Sequence, residues 1–472
     1  MVEATTFRVV ELLGDWRHGG PAAERLAATV RTLVLDGRIP VGTRLPAERP
    51  LAAGLGVSRA TVTAAYDRLR DEGYLTRVLG AGSWVTIPAT AGQALDDAKP
   101  AELDMTIAAL PAPAEVLALA ADAIAKLPRW LDHHGYAPLG LLPLREKIAA
   151  RYTERGLPTT PDQILVTGGA MQAIDLAIRA LLPRGRNAMV ELPSYPAALD
   201  AIRNAGARLR AVPVSADGWD LGELEALVDS HSPALSYLIP EFHNPTGAVM
   251  DEPSRRRVLA LLGGVDGYVI ADETFVELNL AGVPAQAPLA SYADSDRLVT
   301  VGSLSKAAWG GLRIGWARAD AGLIRRLASA RSGVDLSSPV LEQLVATEVL
   351  GEFDTILAER RALARAHRDV LAGALADRLP DWRHRPPSGG LAIWVELPQP
   401  FSTSLAVLAR EHGVALTPGP RFGGNGLLER YLRLPFTARP AELQAAVSVL
   451  AEIAPRVAAN EATAASLSKY AV

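Results

Sequence analysis

The 472-residue chain contains no cysteine. That excludes a disulfide framework, a thiolate nucleophile and any zinc site built on cysteine. Lysine is scarce as well: only Lys99, Lys126, Lys147, Lys306 and Lys469 occur. The eight histidines show no metal-ligand spacing, and the His133–His134 pair in DHHGY reads as part of a loop, so no metal is expected. No unbroken apolar run is long enough to span a bilayer. The N-terminal stretch MVEATTFRVVELLGDW carries early acids and lacks the layout of a secretory signal, which predicts a cytoplasmic protein with no membrane partner. The formal net charge of −4 supplies no chain-wide positive field, so any DNA-binding surface must be local.

What is present is globular material. Hydrophobic residues make up 49% and charged residues 21%, and the length predicts two or three domains. Residues 1–88 hold eleven Arg, no Lys and nine acids, and seven of those Arg but only four acids lie between Arg38 and Arg77. A modest positive excess is therefore concentrated in a first domain, 1–87. PATAGQALDDAKPAE, rich in Ala, Pro, Gly and Asp, reads as a linker over 88–102. From 103 to 457, short β-branched runs (QILVTG, NAMVELP, ALSYLIPEF, GYVIADE, RLVTVGS) alternate with Ala/Leu-rich helical stretches. That alternation predicts an α/β domain, a mostly parallel sheet with helices on both faces. Residues 458–472 are small and polar and are expected to form a flexible tail.

Within the first domain, Leu26, Val30, Leu33 and Val34 recur at helical spacing. PVGTRLPAERPLAAGLGVSRATVTAAYDRLRDEGYLTR then reads as two short helices, with Gly56 at the turn and Ser58 as N-cap of the second. YLTRVLGAGSWVTI follows as two strands joined by a glycine-rich tip. Helix, helix-turn-helix and wing together make a winged helix. The second helix would offer free N–H groups to a phosphate, and Arg59, Thr61 and Thr63 would reach base edges. Arg44 and Arg49 would hold backbone phosphates, while Gly80 and Gly82 would let the wing approach a minor groove. The wording GTRLPAERPLAAGLGVSRATVTAAYDRLRDEGYL resembles the DNA-binding domain of the GntR family of bacterial regulators. The resemblance runs from Arg25 to Val85 and implies promoter double-stranded DNA as partner. One departure is the wing, VLGAGSWV, where the nearest preceding basic residue is Arg77.

Several pieces of the long domain suit pyridoxal 5'-phosphate. That cofactor needs a lysine amine for its aldehyde, an acid beside its pyridine nitrogen, a donor to its phenolic oxygen, a flat partner for its ring and a nest for its phosphate. Lys306 follows the strand RLVTVGS, and Ser303 and Arg313 flank it as phosphate ligands. Gly168, Gly169, Ala170 and Met171 lie at a strand–helix turn, where backbone N–H groups collect phosphate. Tyr195 in ELPSYPA could stack on the ring, and Asn244 in PEFHNPTGAVM could donate to the phenolic oxygen. Asp272 ends the apolar run GYVIAD, where a carboxylate is a cap, an ion pair or a partner for a pyridinium.

The order GGA…SYP…HNPTG…ADE…SLSK…GLRIGW resembles the fold-type I, aspartate aminotransferase-like enzymes over nearly all of 103–457. The resemblance implies a smaller C-terminal subdomain, Lys306 as the Schiff-base lysine and Asp272 as the pyridinium partner. It also implies an obligate homodimer in which Tyr136 reaches the phosphate of the neighbouring subunit. Arg433, in YLRLPFT, looks like the arginine that clamps a substrate carboxylate. One departure stands out: the family places a tyrosine two or three residues past the aspartate, where this chain has Thr274 and Phe275.

A winged helix joined to an aminotransferase-like domain resembles the MocR branch of GntR regulators. The resemblance implies a PLP-dependent transcriptional regulator that senses an amine, an amino acid or PLP itself. The alternative is a working aminotransferase with an accessory DNA-binding domain. Lys306, Asp272 and Arg433 favour residual chemistry, whereas the missing tyrosine and the well-formed reader favour regulation.

Overall fold

The computed structural model describes residues 2–3, 5–14, 16–17, 20–35, 39, 43–78, 82–86, 103–282, 286–423 and 427–469. Gly80 and the linker 88–102 lie outside the described residues. Contacts divide the chain into two units: Met1–Ile107 with Val370–His384 and Trp394–Val472, and Ala108–Asp369 with Arg385–Ile393.

The first unit opens with β1 (Val2–Glu3), α1 (Thr6–Leu13), α2 (Ala22–Leu35), β2 (Thr43–Arg44), α3 (Glu48–Leu55) and α4 (Arg59–Asp71). β3 (Leu75–Val78) and β4 (Gly82–Val85) pair antiparallel as the wing, and β5 (Leu103–Met105) follows. Leu26, Val30 and Leu33 of α2 pack on Val62, Ala65, Tyr66 and Leu69 of α4, all essentially inaccessible. Gly56 takes a left-handed φ of 62° between α3 and α4, a conformation that costs glycine little. Ser58 is extended and its hydroxyl accepts from the Thr61 N–H, so α4 starts with a side-chain cap.

The second unit is built on an eight-stranded sheet. Its strands are β6 (Ile164–Thr167), β7 (Asn187–Leu192), β8 (Arg208–Ser215), β9 (Gly218–Trp219), β10 (Leu235–Leu238), β11 (Tyr268–Asp272), β12 (Leu298–Ser303) and β13 (Gly315–Arg318), in the order β6-β13-β12-β11-β10-β7-β8-β9. β13 and β9 run against their neighbours; the other pairings are parallel. The intervening helices are α5 (Glu115–Lys126), α6 (Leu142–Glu154), α7 (Ala170–Leu181), α8 (Pro196–Asn204), α9 (Leu221–His231), α10 (Glu252–Gly263), α11 (Ala321–Arg331) and α12 (Val340–Gly351). Strand residues alternate between two cores. Val269 and Ala271 join α5, α6, α9, α10 and α12 on one face, while Ile270 joins α7, α8 and α11 on the other. Both faces are covered, which is why these strands read as continuous apolar runs.

α13 (Phe353–Arg378) contributes residues to both units. The first unit is completed by β14 (Arg383–His384), β15 (Ala392–Glu396), α14 (Ser402–Glu411), β16 (Val414–Pro418), β17 (Tyr431–Pro435) and α15 (Pro440–Lys469). Its five-stranded sheet has the order β14-β15-β17-β16-β5. The first unit thus takes in the winged helix together with the C-terminal subdomain. The cause is direct contact: both terminal nitrogens of Arg25 in α2 hold the Glu411 carboxylate of α14, at 2.5 and 3.0 Å. Residues 458–469 were expected to belong to a flexible tail; the backbone there continues α15. Their alanine-rich composition suits a helix.

Candidate functional site

The second unit brings six strand ends and turns to one place. β6 ends at Thr167, and Gly169, with φ 91°, turns the chain into α7. The backbone N–H groups of Ala170 and Met171 therefore open a helix, where they have no intrahelical acceptor. Arg313 adopts a left-handed φ of 51° and donates from Nη2 to the Gly168 carbonyl at 2.8 Å. Its guanidinium lies so close that a Cβ on Gly169 would sit 2.7 Å from Nη2. On the next strand, Ser303 Oγ donates to the Ile314 carbonyl at 3.1 Å and lies 2.9 Å from the Ser305 hydroxyl, from which it can accept. A guanidinium, a hydroxyl pair and helix N–H groups on adjacent strand ends form a donor set suited to a phosphate dianion.

Lys306 sits in the short helical turn Ser305–Trp309 that follows β12. Its Nζ donates to the Ala108 carbonyl at 2.8 Å and lies 5.6 Å from the centre of the Phe275 ring. Asp272 closes β11 and is 6% exposed. Its Oδ2 accepts from the Tyr237 hydroxyl at 2.7 Å, and its Oδ1 accepts from the Thr274 N–H at 3.0 Å and from the Thr274 hydroxyl. Burial pushes this carboxyl above the usual range, against the pull of those hydrogen bonds and of the Lys306 charge. A buried carboxylate short of positive charge is what a protonated pyridine would complete. Tyr195, half-buried, is the residue immediately before α8. Asn244 is half-buried in a turn braced from behind by a buried network. There Glu191 meets His243 Nε2 at 3.2 Å, and His243 Nδ1 meets Thr246 Oγ1 at 2.9 Å.

Tyr237, Glu191, His243, Thr246 and Ser305 were not anticipated from sequence. Tyr237 sits in an apolar strand, ALSYLIPEF, and looks like core until the register of β10 on β11 sets it beside Asp272. Thr274, too short to replace a phenol, instead fastens Asp272.

Behind this site lies a second charged layer. Glu241 pairs with Arg255 at 2.7 Å, and Glu273 pairs with Arg155 at 2.9 Å; both carboxylates and Arg255 are buried, and Arg155 is largely so. Burial, and then the neighbouring Glu273 charge, push Glu241 up to about 7 from 4.5, against the two arginines. Because the folded value is the higher, this group's contribution to stability is full below 4.5 and is lost as pH rises through 7. The stability of cofactor-free protein is therefore expected to fall between pH 5 and pH 8, by at most about 1.4 kcal/mol per pH unit from this group, read as a falling thermal midpoint. Glu241→Gln should flatten that fall in a series of melts.

Comparison with known proteins fits this geometry. The family model "Aminotransferase class I and II" matches residues 116–450. The chain belongs to this family. Residues 22–85 match the model "Bacterial regulatory proteins, gntR family". The 2-aminoadipate transaminase of Thermus thermophilus is 34% identical over 313 residues, covering 65% of this chain and 78% of that protein. The HTH-type transcriptional regulator YisV of Bacillus subtilis is 29% identical over 475 residues, covering 93% and 96%. The crystal structure of LysN, an alpha-aminoadipate aminotransferase from Thermus thermophilus complexed with N-(5'-phosphopyridoxyl)-L-leucine, superposes with a TM-score of 0.70 at 32% identity, covering 79% of this chain and 96% of that one. An aminotransferase-family domain behind a GntR reader is the architecture of the MocR-type, PLP-dependent regulators. In this family member Lys306, Asp272, Asn244, Tyr195, Ser303, Arg313 and the Gly169–Met171 turn are the residues that would hold pyridoxal phosphate.

Tyr136 and Arg433 are the two further residues expected at the site. Tyr136 is 57% exposed, its ring tilted against His134. Arg433 lies on β17 in the first unit, buried, donating to the Thr106 carbonyl with its guanidinium 5.0 Å from the Phe422 ring.

The residues matched by the GntR model include α4, the helix expected to read DNA. Ser58, Arg59 and Ala60 at its start are exposed, and the Ser58 and Thr61 hydroxyls are 2.8 Å apart. The Thr63 hydroxyl has two acceptors within reach inside the reader itself, Glu48 of α3 at 2.9 Å and the Arg59 carbonyl at 3.0 Å. Glu48 also pairs loosely with Arg59 at 3.3 Å. Arg49 is exposed on α3, and Arg44 lies against the wing, its Nε 3.0 Å from where a Cβ on Gly82 would stand. Arg59→Ala is expected to weaken binding to the chain's own upstream DNA by about ten- to a hundredfold at fixed salt, with an unchanged melting midpoint. Fluorescence anisotropy measures it. Ser58→Ala should also lower the midpoint, since the loss of a cap costs about 1 kcal/mol.

Proposed function

We propose that the chain is a homodimeric, cytoplasmic regulator whose grip on promoter DNA changes when an amine, an amino acid or pyridoxal phosphate itself engages the Lys306 site. The observation that carries this reading is the face presented to Lys306. An apolar ring, Phe275, lies 5.6 Å from Nζ, and it has no hydroxyl to share a proton with the cofactor. Bound pyridoxal phosphate supplies an aldehyde that amines condense with and a ring that withdraws electrons. Lys306 would anchor it, Asp272 would keep the ring nitrogen protonated, and Arg313 with the α7 N-terminus would hold the phosphate. An amine offered to the site would compete with the Lys306 amine for that aldehyde. The difference in interaction energy between the two occupants is what can bias the protein between states. Arg433 tilts the choice of occupant towards a carboxylate, and it supports the second reading, an active aminotransferase.

Two copies are proposed because Leu117, Leu131 and Tyr136 of the second unit are 81%, 68% and 57% exposed in the single chain. Such apolar exposure favours a covering partner, to which Tyr136 is available. Leu117→Asp is expected to turn the dimer into a monomer in analytical ultracentrifugation. Two readers then address two half-sites.

The deciding experiment records the absorbance of purified protein with candidate amines beside a mobility-shift assay on its upstream DNA. Spectral change accompanied by altered DNA binding supports the regulator. Steady turnover of an amino donor and a 2-oxoacid at enzyme-like rates, without operator binding, would establish the aminotransferase instead.

A further inference from the structure

We propose that a cavity beside the DNA reader binds a small organic anion and through it acts on the reading helix. The cavity has a volume of about 500 Å³, within the size range of small-molecule sites. It lies wholly in the first unit, with α2 on one side and α14 and β16 on the other. Arg31 of α2, Arg410 and Glu411 of α14, and Arg421 of the turn after β16 line it. Three of its lining residues are thus arginines and one is a carboxylate, which the Arg25 fork holds. The Arg410 side chain is exposed and has no hydrogen-bond or ion-pair partner among the described residues. Guanidinium forks match carboxylate and phosphate oxygens. Val407 and Leu416, which line the same space, suit a short carbon skeleton.

The route to DNA runs through Arg31. Its Nη1 holds Glu72 Oε2 at 2.6 Å, and Glu72 is the C-terminal cap residue of α4. An anion in the cavity competes with Glu72 for this arginine and so alters what holds the far end of the reading helix. Linkage then requires the anion to change DNA affinity by the same factor as DNA changes anion affinity. None of the cofactor-cradle residues takes part, so the site stands apart from the Lys306 chemistry.

The test uses the full-length protein, saturated with pyridoxal phosphate and desalted, with ionic strength matched throughout. It is titrated calorimetrically with citrate and, separately, with inorganic phosphate. Citrate is expected to bind saturably, at least tenfold more weakly in Arg410→Glu and in Arg421→Glu, and to shift operator affinity in anisotropy. The exposed Arg410 is removed without disturbing the core, and melting curves of both variants verify folding. Phosphate binding as tight as citrate would overturn the organic class. Citrate binding unchanged in both folded variants, or no saturation by about 10 mM, would overturn the site. Saturation without any change in operator affinity would overturn the coupling.

Discussion

Lys306→Ala is expected to leave the protein unable to retain cofactor covalently. After incubation with pyridoxal phosphate and desalting, wild-type protein should be yellow and the variant colourless. Borohydride followed by peptide mass analysis should place the wild-type adduct on Lys306 and find none in the variant. The scarcity of lysine makes the result sharp, since only four others exist in the chain. Lys469 shares the local letters SLSK, but it ends a C-terminal helix and has no neighbouring strand end, carboxylate or phosphate nest in its sequence surroundings. Lys306→Arg keeps the positive charge without the primary amine, so it should stay colourless too. An unchanged melting midpoint in either variant separates loss of chemistry from loss of fold. A full-strength adduct on another lysine would sink the assignment.

Gly315→Ala is expected to damage the phosphate nest from behind. A Cβ there would stand 2.5 Å from the Gly169 carbonyl carbon and 2.6 Å from the Ala170 nitrogen. Both are backbone atoms, and β13 cannot withdraw because Gly315 pairs with Thr167 on one side and Ser303 on the other. Overpacking of this kind costs about 1–3 kcal/mol. The turn that presents the Ala170 and Met171 N–H groups must shift, so cofactor affinity should fall about tenfold or more in a fluorescence titration. Gly373→Ala is the control: it lies inside α13, a Cβ there meets nothing within 4 Å, and it should be neutral or slightly stabilising. Wild-type affinity and midpoint in Gly315→Ala would show that the close approach of these strands is misread.

A network such as Tyr237–Asp272–Thr274 shows where reading along a chain stops. Asp272 is legible because a carboxylate ending an apolar strand stands out. Tyr237, 35 residues earlier, is not, because its donor role exists only once β10 and β11 lie in register. Thr63 shows the reverse case. Its place on the leading turn of α4 suggests a base contact, and only the fold shows that Glu48 of the preceding helix also lies within its reach.

The sequence by itself determined the elements and their chemistry: the capped reading helix, the buried parallel strands, and the order of lysine, aspartate, asparagine and glycine turn. These follow from local rules, namely periodicity, caps and the residue types a cofactor requires. Only the tertiary structure decided which hydroxyls serve Asp272, how closely β13 presses on the phosphate turn, and that the DNA reader packs with the C-terminal subdomain through Arg25 and Glu411. Those depend on strand register and on helix faces brought together from distant parts of the chain, and no local pattern encodes them.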